Sequence, residues 1–414
     1  MTSAKAVRAG LGFALGMTLA LGGAAVMTAA APQQALAKAE ATDITYIGNK
    51  AKGKLTVNVS TGSSGNTKYQ VRWSRNKSMK GASYKNSTSS RDITIKGLKS
   101  GVKYYVQARA YKGGWGAWSA VTPRVTRYFG KLSGYSWAKI KSIANYIGKA
   151  SSKKAALQRA RKYGLVGPSL ALSGYEKKSV RLANGKTYKV RILDFWHDSK
   201  TSGGKAGITF AFTTRIGFHK MNPTDTNKGG WAASSMRSWL NSTVNNSLPA
   251  SLRKCIVPVR KHTNNKGETT SASGVTATSD KLWLPSVAEL LGGFGVSTKY
   301  WDWGNSSYDA IYAAEGSKYK VFADNGVVTR RYVSGNSDPL QGECTKAHWE
   351  YRVNSSILYC LYNTQLGNIS SGCWLRSPRP FYGGDAFAGV DSRGGVYGWF
   401  AAGDSGAVAP GFCL

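Results

Sequence analysis

Between residues 42 and 127, apolar and polar residues alternate with a period of two in short runs separated by Gly, Ser and Asn. Alternate residues of a strand face the same side, so each run has one apolar face. The apolar sets are Leu55, Val57 and Val59; Tyr69, Val71 and Trp73; Ile93 and Ile95; and Val102, Tyr104, Val106, Ala108 and Ala110. This pattern predicts an all-β sandwich over residues 42–127.

Residues 131–165 change to a helical period. A first helix is expected to begin after Ser136 and to end at Gly148, and a second to lie between Ser152 and Gly164. The pattern predicts a short helical hairpin that connects the domains on either side. The apolar face of the first helix contains Trp137, Ile140, Ile143, Ala144 and Ile147.

Residues 166–414 combine short elements of both kinds with long irregular stretches rich in Gly, Ser, Asn and Trp. Strands are expected over residues 187–193 and 207–213, and a helix over 234–241. Pro285 is expected to start a helix that runs to Leu291. The chain is therefore predicted to be multidomain, with a mixed α+β domain at the end.

The first 37 residues have the layout of a secretory signal peptide. Lys5 and Arg8 precede an uncharged apolar run, and Ala35-Leu36-Ala37 supplies small residues for cleavage. The run is long enough that an uncleaved membrane anchor stays an alternative. No second stretch of membrane-spanning length follows, so we expect a secreted, extracellular protein.

The charge is strongly positive, with 57 Lys and Arg against 20 Asp and Glu, a formal net charge of +37. Such a balance favours polyanionic partners. Export and the dispersed basic residues argue against nucleic acid. Anionic cell-wall polymers or glycans, and a host or surface protein, are the expected partners; a surface kept soluble by its charge is the alternative.

Cofactor chemistry has little support in the sequence. The five cysteines form no C-x-x-C pair, and the four histidines form no H-E-x-x-H motif. We predict no cofactor, although calcium stays open because oxygen donors occur without loop spacing. The disulfide pairing also stays open. The cysteines are Cys255, Cys344, Cys360, Cys373 and Cys413, and the oxygen donors are Asn305, Asp309, Asp324 and Asn325.

The alternating segment resembles the fibronectin type III domains of bacterial surface proteins. The residues that carry the resemblance are 69–74 (YQVRWS), 95–104 (IKGLKSGVKY) and 116–119 (GAWS). It implies a spacer or adhesion module in which Tyr104 occupies the tyrosine-corner position. Trp73, Trp115 and Trp118 are expected to pack in the core or at strand ends, and stacking on sugars is the alternative.

The C-terminal part resembles a family of secreted-protein domains of unknown function, number 6273. This resemblance implies no activity. It rests on residues 192–198 (ILDFWHD), 227–231 (NKGGW), 235–241 (SMRSWLN), 278–286 (TSDKLWLPS), 374–378 (WLRSP) and 410–414 (PGFCL).

A more distant resemblance is to formylglycine-generating-enzyme-like domains. Residues 284–289 (LPSVAE), 376–378 (RSP) and an alternating strand at 387–390 carry it. It implies a C-type-lectin-like fold. The enzymes of that group use closely spaced cysteines, but Cys360 and Cys373 depart from that spacing, so we expect no oxidase activity.

Within this domain we distinguish ligand-binding candidates from structural aromatics. Asp194 and His197 would lie on opposite faces of a strand unless a turn brings them together, and Glu289 suits the first turn of a helix. The ligand-binding candidates are Trp196, His197, Asp198, Trp231, Trp301, Trp303 and Arg376. The expected structural residues are Tyr104, Trp73, Trp239, Trp283 and Trp374.

Export, module order and charge favour a secreted, non-catalytic recognition or adhesion protein that binds a glycan or protein ligand. An extracellular enzyme acting on wall polymers or glycans is the alternative. Converging carboxylates in a cleft would favour the enzyme, because acid/base hydrolysis needs them. Exposed Trp on a shallow loop surface would favour binding.

Overall fold

The computed structural model describes residues 39, 42–49, 51–61, 64–269, 271–292, 306–326, 373–380, 383–390 and 396–414. The predicted signal peptide (1–37), Trp301, Trp303, Cys344 and Cys360 lie outside these ranges. The described residues from 39 onward belong to one compact unit. Within the ranges given, no helix has the length and apolar character needed to cross a membrane.

Seven strands build a sandwich of two antiparallel sheets, one ordered β1-β2-β5 and the other β4-β3-β6-β7. The inward residues of both sheets share one core, which includes Leu55, Val71 and Val106. The strands are β1 Thr42–Gly48, β2 Leu55–Thr61, β3 Lys68–Ser74, β4 Ser83–Ser87, β5 Asp92–Ile95, β6 Lys103–Tyr111 and β7 Thr122–Val125. The predicted sandwich is confirmed.

Tyr104 and Trp73 take the expected structural places in this sandwich. The Tyr104 hydroxyl accepts a hydrogen bond from the Lys99 amide at 3.2 Å, so it ties the strand to the turn before it. Trp73 is partly buried and packs against the core.

The two helices of the hairpin are α1 Trp137–Gly148 and α2 Lys153–Lys162. Each has a serine N-cap, as predicted: Ser136 Oγ accepts from Lys139 N at 3.1 Å and Ser152 Oγ from Ala155 N at 3.2 Å. These bonds satisfy amides that the helix leaves without a partner.

The hairpin is part of the C-terminal core and not a separate connector. Its apolar face belongs to the same continuous cluster as the following domain. Trp137 lies edge-on to Phe210 and Phe412, with ring centroids 5.9 and 6.2 Å apart. The sequence pattern showed an apolar face but not what covers it.

The described strands of the C-terminal domain form three sheets, ordered β18-β10-β9-β8, β11-β17-β14-β15-β16 and β12-β13. Their strands are β8 Lys177–Arg181, β9 Thr187–Phe195, β10 Ile208–Phe212, β11 Gly217–Lys220, β12 Val259–Asn264, β13 Val275–Asp280, β14 Cys373–Pro378, β15 Ala386–Val390, β16 Val396–Ala401, β17 Ser405–Val408 and β18 Gly411–Cys413. The strands predicted near 187–193 and 207–213 are confirmed. β15 does not alternate as expected: all five residues are buried, in a strand paired on both edges.

Short helices join these strands. They are α3 Gly230–Ala233, α4 Ser235–Trp239, α5 Asn245–Ser247, α6 Ala250–Arg253, α7 Val287–Leu291, α8 Ser306–Ala314 and α9 Lys320–Asp324, with 3-10 turns at Leu132–Gly134 and Ala272–Gly274. The helix predicted over 234–241 continues as a π-helix, Leu240–Val244. Pro285 does not start α7, because Ser286 is its N-cap and forms a capping box with Glu289.

Helix α9 joins the sandwich to the C-terminal domain. Asp324 pairs with Lys103 of β6 and accepts from the Leu172 amide at 2.8 Å. Asn325 donates to Leu172 O at 2.7 Å and accepts from the Val125 amide at 3.4 Å. Because Asp324 and Asn325 are each 1% exposed, these bonds fix the junction.

Candidate functional site

Arginine and tryptophan side chains interleave on the outer face of the four-stranded sheet. The Arg109 guanidinium lies 4.6 Å from the ring centre of Trp115 and 4.3 Å from that of Trp118, and Arg72 lies 4.2 Å from Trp118. Gln107 and Gln70 accept from Arg72 and Arg109 at 2.9 and 2.8 Å. This cationic face, Arg72, Arg109, Trp115 and Trp118, holds two positive charges against aromatic rings.

The guanidinium groups occupy ring faces on which a sugar would otherwise stack. Both tryptophans are partly exposed. The arrangement therefore supports packing for Trp115 and Trp118 and presents positive charge to solvent.

The whole sandwich carries an excess of positive charge. Residues 42–125 contain 16 Lys and Arg but only two acids, Asp43 and Asp92, a net charge of +14. The exposed side chains of Arg75, Lys77 and Lys80 line an open cleft of about 570 Å³. Such a surface attracts polyanions.

A network of charged side chains lies inside the C-terminal domain around Lys261, which is 1% exposed. Its ammonium group contacts Asp198, lies 2.8 Å from Glu289 Oε1 and donates to the Tyr319 hydroxyl at 2.8 Å. It also lies 4.1 Å from the Trp283 ring centre. Burial favours the neutral forms, but Lys261 holds the pKa of Asp198 well below its usual value.

Arg376 extends this network from β14 and is fully buried. Its Nη1 donates to Glu289 Oε2 at 2.6 Å and its Nε to the Thr263 hydroxyl at 2.9 Å. Burial raises the pKa of Glu289, but the charges of Arg376 and Lys261 outweigh it and lower that pKa to about 2. Glu289 therefore caps α7 and also joins two buried cations.

The Glu315 carboxyl differs from those of Asp198 and Glu289 because its pKa is raised and not lowered. It is 1% exposed, accepts from the Asn264 amide at 3.0 Å and contacts the Ser377 hydroxyl. Burial raises its pKa to about 7, against the opposing charge of Arg376. At neutral pH this group sits near its midpoint.

The converging carboxylates are interior. Asp198, Glu289 and Glu315 are at most 5% exposed and are bonded to protein groups. The arrangement can hold elements together and bind or release a proton at Glu315. It does not present acid and base groups to a substrate in the cleft geometry that hydrolysis needs.

Trp196, His197 and Asp198 follow β9, where the backbone turns. Trp196 has φ 53°, a left-handed conformation that ends the alternation of the strand. Asp194 bonds Lys153 and the Lys320 amide, whereas Asp198 points to Lys261, so the two carboxylates have different partners. The turn places the His197 ring 3.4 Å from Asp198, and the charge of Asp194 also acts on that ring.

His197 lies at the rim of the network. Its ring is 4.5 Å from that of Tyr319, and Nε2 is 3.0 Å from both oxygens of Ser317. Burial acts to lower the pKa of His197, but the charge of Asp198 outweighs it and raises the pKa above 6.5. Of the candidates that the structure describes, Trp196 and His197 are partly exposed.

The candidates Trp231 and Arg376 belong to the interior. Trp231 is 0% exposed and its indole donates to Asp280 at 3.1 Å, so a ligand has no access to its ring. The structural aromatics lie as expected: Trp283 and Trp374 are buried, and Trp239 packs on the core and stacks on His219 at 4.4 Å.

Sequence reasoning missed Lys261, Tyr319 and Glu315. A signal for Lys261 exists, because Val259, Lys261 and Thr263 occupy the inward positions of β12. A lysine at an inward position of a strand indicates a buried partner. Tyr319 and Glu315 had no comparable local signal.

The described part of the chain contains no group of three His, Cys, Asp or Glu that could hold a metal ion. Of the oxygen donors considered for calcium, Asp324 and Asn325 serve the domain junction. Asn305 and the Asp309 side chain lie outside the description. Cys255, Cys373 and Cys413 are buried free thiols.

The sandwich and the domain after it define a modular protein with a β-sandwich at its N-terminal side. Residues 42–125 match the model of the Fibronectin type III domain, and residues 209–414 match that of the Domain of unknown function (DUF6273). The chain thus carries both domains that the sequence resembles. Fibronectin type III domains are typical of adhesion and recognition proteins.

Solved structures of fibronectin type III domains are similar to part of the chain. The FN1-FN3 domains of chicken CNTN1 are 18% identical, with 22% of this chain and 31% of that chain covered and a TM-score of 0.20. The fn3 domain of human contactin 1 is also 18% identical, with coverages of 26% and 93% and a TM-score of 0.20. No curated protein matches the sequence.

Proposed function

We propose that this is a secreted recognition or adhesion protein. Its positive charge retains it on anionic cell-wall polymers or glycans. The observation that carries the proposal is the fibronectin type III domain, with 16 basic residues against two acids. The cationic face and the exposed basic cleft at Arg75, Lys77 and Lys80 support it.

In this proposal the C-terminal domain, with a C-type-lectin-like fold, recognises a glycan or protein ligand. The interior position of Asp198, Glu289 and Glu315 supports binding over the enzymatic alternative. The signal-like residues 1–37 support export, and N-terminal sequencing of the protein recovered from culture medium should then begin at Lys38.

Retention is tested with polygalacturonate-coated beads, an acidic glycan, against neutral dextran-coated beads. We expect binding to polygalacturonate only, falling steeply as NaCl rises from about 0.1 M to about 1 M, where the screening length drops from about 10 Å to about 3 Å. Equal binding to dextran, or retention that salt does not change, would contradict the proposal.

Two variants that each lack three positive charges identify the surface that binds the polymer. Replacing Arg75, Lys77 and Lys80 by Gln removes three charges from the sandwich cleft. Replacing the exposed Lys154, Lys162 and Lys186 by Gln removes three from the C-terminal side. We expect the first variant to elute at lower salt than the second, and the reverse order would show that the sandwich is not the main contact.

A further inference from the structure

A cleft between helix α1 and the loop 199–207 is lined by lysines. It measures about 480 Å³, and four of its lining residues are Lys141, Lys149, Lys200 and Lys205. No Asp or Glu is among the described residues that line it. We call it the lysine cleft.

The walls of the lysine cleft are fixed by close main-chain contact. Lys141 and Lys149 lie two helical turns apart on one side of α1. A Cβ on Gly207 of the facing loop would lie 1.9 Å from the Ala144 carbonyl oxygen of α1, and one on Gly148 of α1 would lie 2.7 Å from the Lys205 oxygen of the loop. Because only glycine permits this approach, the cleft is preformed and not assembled on binding.

Three of the four lysines have no Asp or Glu partner among the described residues. Lys205 Nζ donates to His197 O at 2.8 Å, but Lys141, Lys149 and Lys200 make no ion pair with a carboxylate of the described residues. Lys141 is only partly exposed. Burial lowers its pKa; the Cys255 thiol opposes this, and the charge of Lys200 lowers it further. An anion in the cleft would relieve both effects.

We propose that the lysine cleft binds the phosphate group of a small phosphorylated sugar. Lysine ammonium groups bind phosphate as point charges, whereas paired recognition of carboxylate favours arginine, and no arginine lines the cleft. The volume is that of a small-molecule site. Asn145, Ser202 and main-chain groups can bond sugar hydroxyls.

The proposed phosphate site does not depend on retention of the protein on polymers by dispersed charge, since the cleft and the polymer-binding surface can each exist without the other.

The test is isothermal titration calorimetry of the full chain with glucose 6-phosphate, inorganic phosphate and glucose. We expect saturable binding of glucose 6-phosphate at one site, weaker binding of phosphate, and none of glucose.

The variant pair is K141Q/K200Q and K154Q/K162Q, each of which removes two positive charges. Lys154 and Lys162 are exposed and lie on α2, outside the cleft lining. We expect K141Q/K200Q to bind glucose 6-phosphate at least tenfold more weakly, and K154Q/K162Q to bind as the parent does. Equal weakening in both variants would mean general attraction and would overturn the site.

Thermal unfolding separates the site from a folding defect. Without ligand, K141Q/K200Q should have a Tm equal to or above that of the parent, because it removes like-charge repulsion. With glucose 6-phosphate, the Tm of the parent should rise and that of the variant should not. No binding by the folded parent would overturn the lysine cleft, while the polygalacturonate experiment would still report on retention.

Discussion

Lys261 shows why single residues of the interior escape a reading of the sequence. Its partners Asp198, Glu289 and Tyr319 lie 63, 28 and 58 residues away along the chain. The alternation of β12 marks Lys261 as inward, but it does not show which residues surround it. Only the fold brings them together, and a buried cation without them would be strongly destabilising.

Arg376 shows the opposite case. The sequence placed it among the ligand-binding candidates, but its side chain is fully buried and bonds Glu289, Thr263 and the Leu284 carbonyl. A motif shared with a family indicates that a residue is needed, without showing whether the need is structural. Whether such a residue binds a ligand or supports the fold depends on the exposure of its side chain. That exposure is set by long-range packing.

Glu315 should make stability fall as pH rises through the neutral range. Its pKa is 4.5 when exposed and about 7 in the fold, so the folded state holds the proton more tightly. The stabilisation is complete below about pH 4.5 and is lost as pH rises to about 7, a change of about 3 kcal/mol. In E315Q the amide can bond both Asn264 and Ser377, and this loss should disappear.

Urea unfolding of the parent and E315Q at pH 5 and pH 8 measures the effect. E315Q should gain up to about 3 kcal/mol on the parent between the two values. E268Q, at an exposed glutamate, is the control and should keep a constant difference. Subtracting the stability of the parent from that of E315Q removes the contribution of His197, which both proteins contain. The raised pKa of His197 also makes stability fall as pH rises above 6.5. A constant gap for E315Q would show that Glu315 is ionised throughout.

At the scale of elements, local pattern and local chemistry were sufficient for the starts of α1 and α2 and for the sandwich strands. The serine caps at Ser136 and Ser152 and the alternation of the sandwich strands are properties of neighbouring residues, and the structure confirms them. The pairing of β10 with β18 is different, because Thr209 and Cys413 are 204 residues apart. No local pattern specifies such a pairing, so the sheet order was not predicted.

Because Gly207 has no side chain, the loop 199–207 can pack closely against α1. In G207A the added Cβ would meet the Ala144 carbonyl oxygen at 1.9 Å, and backbone cannot move away as a side chain can. We expect a loss of about 3 kcal/mol in the free energy of unfolding. G217A is the matched control, since nothing lies within 4 Å of its added Cβ. Guanidinium denaturation compares them, and equal midpoints would mean that α1 and the loop are not in contact.

At the scale of the molecule, the sandwich is joined to the C-terminal domain by buried polar bonds. The resemblance implied a spacer or adhesion module and said nothing about contact with the domain after it. Here Asp324 and Asn325 reach Lys103 and the Val125 amide of the sandwich, and Ser169 donates to Gly101 O at 2.9 Å. The basic cleft of the sandwich and the lysine cleft therefore belong to one compact unit.

This junction predicts cooperative unfolding of the two domains. In differential scanning calorimetry the parent should give one transition, because the sandwich cannot leave α9 without exposing buried polar groups. D324A/N325A removes the bonds to Lys103, Val125 and Leu172 and should split the curve into two transitions. K320A is the control: its ammonium pairs with Asp324 at 3.0 Å within the same helix, so its loss should leave one transition. Two transitions in the parent would show that the domains unfold separately. One transition in the double variant would show that Asp324 and Asn325 do not carry the coupling.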